Sequence, residues 1–123
     1  SMAQTTLPGL ALIEGVGGVM VPLNTTQTTL DWMEALALPV IMVTGSYLGS
    51  ISHCLTALAA LRARGLSVQA VVMNETPAST VTLAEAEAGL APFVADIPWR
   101  VVQPRVSSPR EATAIHALCT ELV

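Results

Sequence analysis

Lysine is missing from this chain. All five of its cationic residues are arginines, set against nine acidic residues, for a formal net charge of −4. No lysine side chain can therefore clamp a phosphate or form a Schiff base. The acidic balance argues against a nucleic-acid partner. Charge of either sign is scarce, at 11% of 123 residues, where about a quarter is usual. Half of the chain is apolar (52%). So little charge implies that much of the surface is covered, by a partner chain or by sequence outside this chain. No apolar run reaches the roughly 18 residues of a membrane span. Thr44-Gly45-Ser46 breaks the longest candidate, Leu36 to Val43. No basic-then-apolar leader opens the chain, and Ser1-Met2 reads as a cloning remnant before a native or truncated start.

Cysteine is also sparse. Cys54 and Cys119 both fall in helical patterns and read as reduced, buried thiols, which fits the cytoplasm. They and the two histidines, His53 and His116, lack metal-ligand spacing, which excludes a zinc site. A Gly-Lys-Ser/Thr sequence occurs nowhere, so there is no Walker A loop. The order of residues implies no Ser–His–Asp arrangement.

What is present is an alternation of strand and helix patterns from end to end. The length allows one domain, residues 1–123, with one core. Leu10–Glu14 reads as the first strand. Thr29–Leu36 reads as a short helix with Thr28 or Thr29 as N-cap. Pro39–Thr44 is a continuously apolar, β-branched run, as expected of a strand buried on both faces. Ser50–Arg64 is the clearest helix: Ile51, Cys54, Leu55, Leu58 and Leu61 recur at helical steps and Gly65 ends it. Val68–Met73 is a strand stopping at Asn74-Glu75. Leu83–Val94 is a helix weakened by Gly89 and Pro92. Arg100–Gln103 is a short strand, and Pro109–Leu122 a helix with Ser108 as N-cap. Val19-Met20-Val21 fits either a short extra strand or a loop. The alternation predicts an α/β fold with a mainly parallel sheet and flanking helices.

The most informative stretch is Leu10-Ala-Leu-Ile-Glu14-Gly15-Val16-Gly17-Gly18. One carboxylate closes an apolar run, and glycines follow. The strand's C-terminal end is where open parallel sheets bind ligands, and glycine lets backbone N–H groups approach an anion. Glu14 could serve a hard cation beside phosphate oxygens; it could equally cap a helix or face solvent. Gly45 to His53 joins a strand to the long helix, so its N–H groups and positive dipole end make an anion site in principle. A tight turn with a serine cap has the same pattern. His53, one turn into that helix, reads as a structural residue bonded to a neighbouring loop, and His116 as surface or packing. Asn74 could read an adenine edge, although an ordinary turn asparagine is the commoner case.

Taken together, Glu14-Gly-Val-Gly-Gly18, Pro22-Leu23, Asp31-Trp32, Leu38-Pro39-Val40, Gly45, Leu48-Gly49-Ser50-Ile51-Ser52-His53, Arg64-Gly65 and Val72-Met73-Asn74 resemble the C-terminal half of dethiobiotin synthetase. The match is dense from about Leu12 to Asn74 and weaker after Pro77. The resemblance implies a partial P-loop NTPase-like (Rossmann-like) fold and a homodimer. It implies a ligase of biotin biosynthesis that uses ATP, Mg²⁺ and CO₂ to close the ureido ring on 7,8-diaminopelargonate. The implied steps are carbamate formation, phosphorylation to a carbamic–phosphoric anhydride, and attack by the second amine. Glu14 would then be a Mg²⁺ ligand, and Glu14, Gly15, Val16 and Gly17 would line the nucleotide's phosphates. Gly18 and, at the helix start, Gly49, Ser50, Ile51 and Ser52 would hold the substrate, its carboxylate bound across the dimer interface. Asn74, Glu75, Gln103, Pro104 and Arg105 would border the adenine. Ile97-Pro98-Trp99 resembles that last loop by letters but precedes the strand. The family's lysine-bearing phosphate loop, its other lysines and its first strand lie in an N-terminal half that this chain lacks. No catalytic residue is therefore assigned here, and the chain alone is expected to be inactive. The alternative expectation is a non-catalytic binding or interaction domain that keeps the fold and dimer surface.

Overall fold

The computed structural model describes residues 2–7 and 9–102. They fall into two sheets. One is a hairpin of β1 (Met2–Leu7) and β2 (Leu10–Gly15), paired antiparallel with Leu7 opposite Leu10 and Ala3 opposite Glu14. The other is three-stranded, in the order β3 (Val40–Gly45), β4 (Val68–Asn74), β5 (Trp99–Val102), and is parallel throughout. Helix α1 (Thr29–Leu36) lies between the sheets in sequence; α2 (Ser50–Ala63) joins β3 to β4, and α3 (Leu83–Leu90) with a 3₁₀ turn (Ala91–Phe93) joins β4 to β5.

The α/β class and the parallel sheet with its helices are as the alternation predicts. Three details differ, and Val19–Val21, left open between strand and loop, is settled. Leu10–Gly15 is a strand, yet it pairs with β1 rather than joining the parallel sheet. The pairing is signalled by the β-branched Thr5-Thr6 and the Pro8-Gly9 pair, a hairpin turn signal; Gly9 takes φ +86°. Val19–Val21 is loop, touched only by a bridge between Pro22 and Thr28. The third helix ends at Leu90, where Pro92 turns the chain into the 3₁₀ segment. The fourth predicted strand starts one residue early, at Trp99. The helix expected at Pro109–Leu122, with His116 and Cys119, lies outside the described residues.

Local chemistry explains the helix boundaries. Thr28 and Asp31 form a reciprocal capping box at the start of α1, as Thr82 and Glu85 do at the start of α3. Helix α2 begins after Gly49 at φ +92° and is followed by Gly65 at φ +67°. Its stripe of Cys54, Leu58 and Leu61 packs with Val40 and Met42 of β3, Val71 and Met73 of β4, and Ala86 and Leu90 of α3. Leu61, Val71, Met73 and Leu90 are wholly buried. Each such side chain contributes about 1.5–3 kcal/mol by leaving water. Gly89, a weakness in a helix by propensity, lets α3 approach α2: a Cβ there would stand 2.5 Å from Ile51 Cδ1.

Outside this core the described residues are more open. Val43, on the edge strand β3, is 64% exposed, and Leu12 and Ile13 on β2 are each 41% exposed. A two-stranded ribbon cannot bury both its faces.

Candidate functional site

The predicted site residues fall into two groups. The first surrounds Glu14. This carboxylate is exposed, one residue before the end of β2. Beyond it the chain turns through Gly17, whose φ of +93° disfavours any side chain; a Cβ there would also stand 2.5 Å from Val21 Cγ2. Gly18 differs, with nothing within 4 Å of an added Cβ. Gly15 and Val16 form one wall of a cavity of about 300 Å³, and Val21, Pro22, Leu23, Thr29 and Trp32 form the rest. The loop supplying those residues is internally bonded. Asn24 Oδ1 accepts the N–H groups of Thr26 and Gln27, each at 2.9 Å, and Thr29 N–H donates to Val21 O at 2.9 Å. Thr29 is itself buried, and its Cγ2 lies 3.3 Å from the Cβ position of Gly15.

The second group sits at the C-terminal edge of the parallel sheet. Gly45 pairs with Asn74 in register. A Cβ on Gly45 would stand 2.5 Å from Thr76 Oγ1. The buried Ser46 hydroxyl accepts the N–H of Thr76 at 2.9 Å. The turns after β3 and β4 are thus tied together. At the start of α2 the first helical bond runs from His53 N–H to Gly49 O, and Gly49 offers no side-chain cap. The N–H groups of Ile51 and Ser52 therefore precede the ladder and have no acceptor among the described residues. Ser50 is buried, with its N–H on Tyr47 O at 2.9 Å. The Ile51 side chain faces Gly89, so only its backbone serves the helix start. His53 Nδ1 and Tyr47 Oη share a hydrogen bond of 3.1 Å, which ties the helix to its preceding loop as expected of a structural histidine. Asn74 is exposed and Glu75 half-buried.

Of the predicted site residues only Gly15 and Val16 line the cavity; Glu14, Gly17, Gly18, Gly49–Ser52 and Asn74 do not. Gln103, Pro104 and Arg105 lie outside the described residues. Sequence reasoning missed Thr29 as a site residue and placed Trp32 only within the resemblance. The signal was slight: a threonine-rich loop leading into a helix that carries a tryptophan.

The electrostatics are local. The Thr28 backbone N–H, then the Thr28 hydroxyl and the Arg64 guanidinium, hold the Asp31 carboxyl below its ordinary value. The Thr82 hydroxyl, followed by its backbone N–H, does the same for Glu85. Burial pushes the Cys54 thiol up. Arg62 pairs with Asp96 at 2.8 Å, and Arg64 pairs with both Asp31 and Glu34. Among the described residues no three His, Cys, Asp or Glu side chains gather as a metal centre. Among them, too, no helix is long and apolar enough to cross a membrane.

Residues 3–105 match the AAA-domain family. The chain belongs to that family. Within it, the chain is similar to proteins named ATP-dependent dethiobiotin synthetase BioD. It is 48% identical over 110 residues to that of Caulobacter sp. (strain K31), which covers 89% of this chain and 47% of the relative. It is 63% identical over 68 residues to that of Caulobacter vibrioides (strain NA1000 / CB15N), covering 55% of this chain and 31% of the relative. Against that of Acidiphilium cryptum (strain JF-5) the identity is 58% over 66 residues, 54% of this chain and 30% of the relative. The chain thus spans less than half the length of these curated relatives. They bear out the resemblance drawn from Glu14–Gly18, Gly49–His53 and Asn74.

Proposed function

We propose that this chain supplies part of the active site of an ATP-dependent dethiobiotin synthetase, the ligase that closes the ureido ring of 7,8-diaminopelargonate. The observation that carries the reading is the 48% identity over 110 residues to a relative of that name. That match extends over 89% of this chain. The exposed carboxylate at the end of β2 and the free N–H groups at the start of α2 are groups suited to that chemistry.

Glu14 is a hard oxygen donor, and among the described residues it belongs to no group of three or more His, Cys, Asp or Glu side chains. That suits Mg²⁺, which takes one or two carboxylates and completes its shell with water and phosphate oxygens. Bound there, Mg²⁺ would supply charge neutralisation at the transferring phosphoryl group. Glu14 holds the metal in this reading, and Gly15, Val16 and Gly17 bring backbone N–H groups to the phosphates. Gly18 and Gly49–Ser52 orient the diaminopelargonate, with its carboxylate on the helix N-terminus of the other subunit of a homodimer. Asn74 and Glu75, with Gln103, Pro104 and Arg105, border the adenine. The chain has no lysine, so the cationic phosphate clamp comes from sequence outside it, and the chain alone turns over nothing. The working compartment in this reading is the cytoplasm.

The test supplies the N-terminal portion of the Caulobacter relative in trans and measures ATP-dependent dethiobiotin formation. Activity is expected from the reconstituted pair and loss of it from the Glu14→Ala chain. A folded complex equally active, or equally inactive, with and without Glu14 would sink the assignment.

A further inference from the structure

Arg64 caps the C-terminal end of α2 and does not line the cavity, yet it is tied to the cavity wall. Its Nη2 stands 3.1 Å from Asp31 Oδ1, and its Nη1 bonds Glu34 Oε2. The other oxygen of Asp31, Oδ2, accepts the N–H of Thr28 at 2.7 Å and its hydroxyl at 2.8 Å. Thr28 O in turn accepts the N–H of Trp32 at 3.3 Å. The next residue, Thr29, is bonded to Val21 O through both its N–H and its hydroxyl. Thr29, Trp32 and Val21 are all cavity residues. One guanidinium thus spans carboxylates on successive turns of the helix whose first turn forms the wall facing Gly15 and Val16.

We propose that Arg64 is a positioning residue for this cavity. It fixes the rotation and axial position of α1 through Asp31 and Glu34, and so sets how Thr29 and Trp32 face Gly15 and Val16. The two-pronged grip depends on a planar fork, which a lysine lacks. Arg62 is the internal control: it leaves the same end of α2 but among the described residues pairs only with Asp96, where both side chains are well exposed, and has no link to α1. The placement holds whatever the cavity binds, so its failure is separate from failure of the functional reading.

The test is fluorine NMR of the chain labelled with fluorotryptophan. Its two tryptophans give two resonances, assigned with Trp32→Phe. Arg64→Ala is expected to shift the Trp32 resonance and leave that of Trp99 in place, with unchanged far-ultraviolet circular dichroism. Arg64→Lys is expected to shift it less, and Arg62→Ala to shift neither. A Trp32 signal unmoved by Arg64→Ala, or moved equally by Arg62→Ala, overturns the proposal. Should Arg64→Ala fail to fold, salt decides on the unaltered chain. Raising the ionic strength screens the exposed ion pairs and is expected to shift Trp32 alone; a resonance that ignores salt overturns the proposal.

Discussion

Strands β2 and β4 carry similar apolar residues and end in different surroundings. On β4, Val71 and Met73 are wholly buried between neighbouring strands and helices α2 and α3. On β2, Leu12 and Ile13 remain 41% exposed, because a single hairpin partner covers neither face. The difference teaches that an apolar run specifies a strand, while the number of its neighbours decides what that strand contributes. The parallel unit from β3 to β5 holds the core. The hairpin holds the carboxylate and glycines of the candidate site with little burial behind them. In the proposed enzyme that shortfall would be made good by the sequence that also brings the lysines.

Truncation separates the two regions most sharply. Leu61→Ala removes a fully buried side chain from the core and is expected to cost about 2–5 kcal/mol. Leu12→Ala on the hairpin is expected to cost under about 1 kcal/mol, since much of that side chain already meets water. Urea unfolding followed by circular dichroism checks both. Equal costs would erase the distinction.

The hairpin region nonetheless contains one strict position. Gly17→Ala is expected to cost about 1–3 kcal/mol, from the left-handed backbone and the clash with Val21. Gly18→Ala, with open space around it, is expected to stay within about 0.5 kcal/mol. Thermal unfolding of the two variants gives the comparison.

The smallest effect is acid sensitivity at the helix caps. The Asp31 carboxyl is held below 3.8 and that of Glu85 below 4.5 by their capping threonines. A carboxyl whose folded value lies below its unfolded one stabilises the fold above the unfolded value and loses that contribution as pH falls through the folded value. Stability is therefore expected to fall as pH drops from about 5 toward 2, less steeply in Asp31→Asn and Glu85→Gln. Urea midpoints across that range check the slope, and unchanged slopes would contradict the cap assignment.

Much of this was legible in the sequence. Helix α2 could be read because Cys54, Leu58 and Leu61 recur at helical steps, and β3 and β4 because Val40–Val43 is an unbroken apolar run and Val68–Met73 one interrupted only by Gln69. The partner of β2 could not be read from its apolar residues, since they look alike beside one strand or two; the hints of a hairpin were Thr5-Thr6 and Pro8-Gly9. The pairing of the β3 and β4 turns rests on Ser46 and Thr76, thirty residues apart, and no local pattern announces it. The cavity needs Thr29 and Trp32 folded back on Gly15, which depends on bonds inside the Val21–Thr29 loop. Of the residues expected to border an adenine, only Asn74 and Glu75 fall among the described residues.

The central claim is that Glu14–Gly18 and Gly49–Ser52 serve one composite site. Amide hydrogen exchange tests it most directly, on the chain alone and then with the N-terminal portion of the Caulobacter relative, ATP, Mg²⁺ and diaminopelargonate. The account predicts that Gly15–Gly18 and Ile51–Ser52 gain protection together on assembly, while the β4 core is protected throughout. Protection gained at one group without the other, or at neither in a complex that has formed, would contradict it.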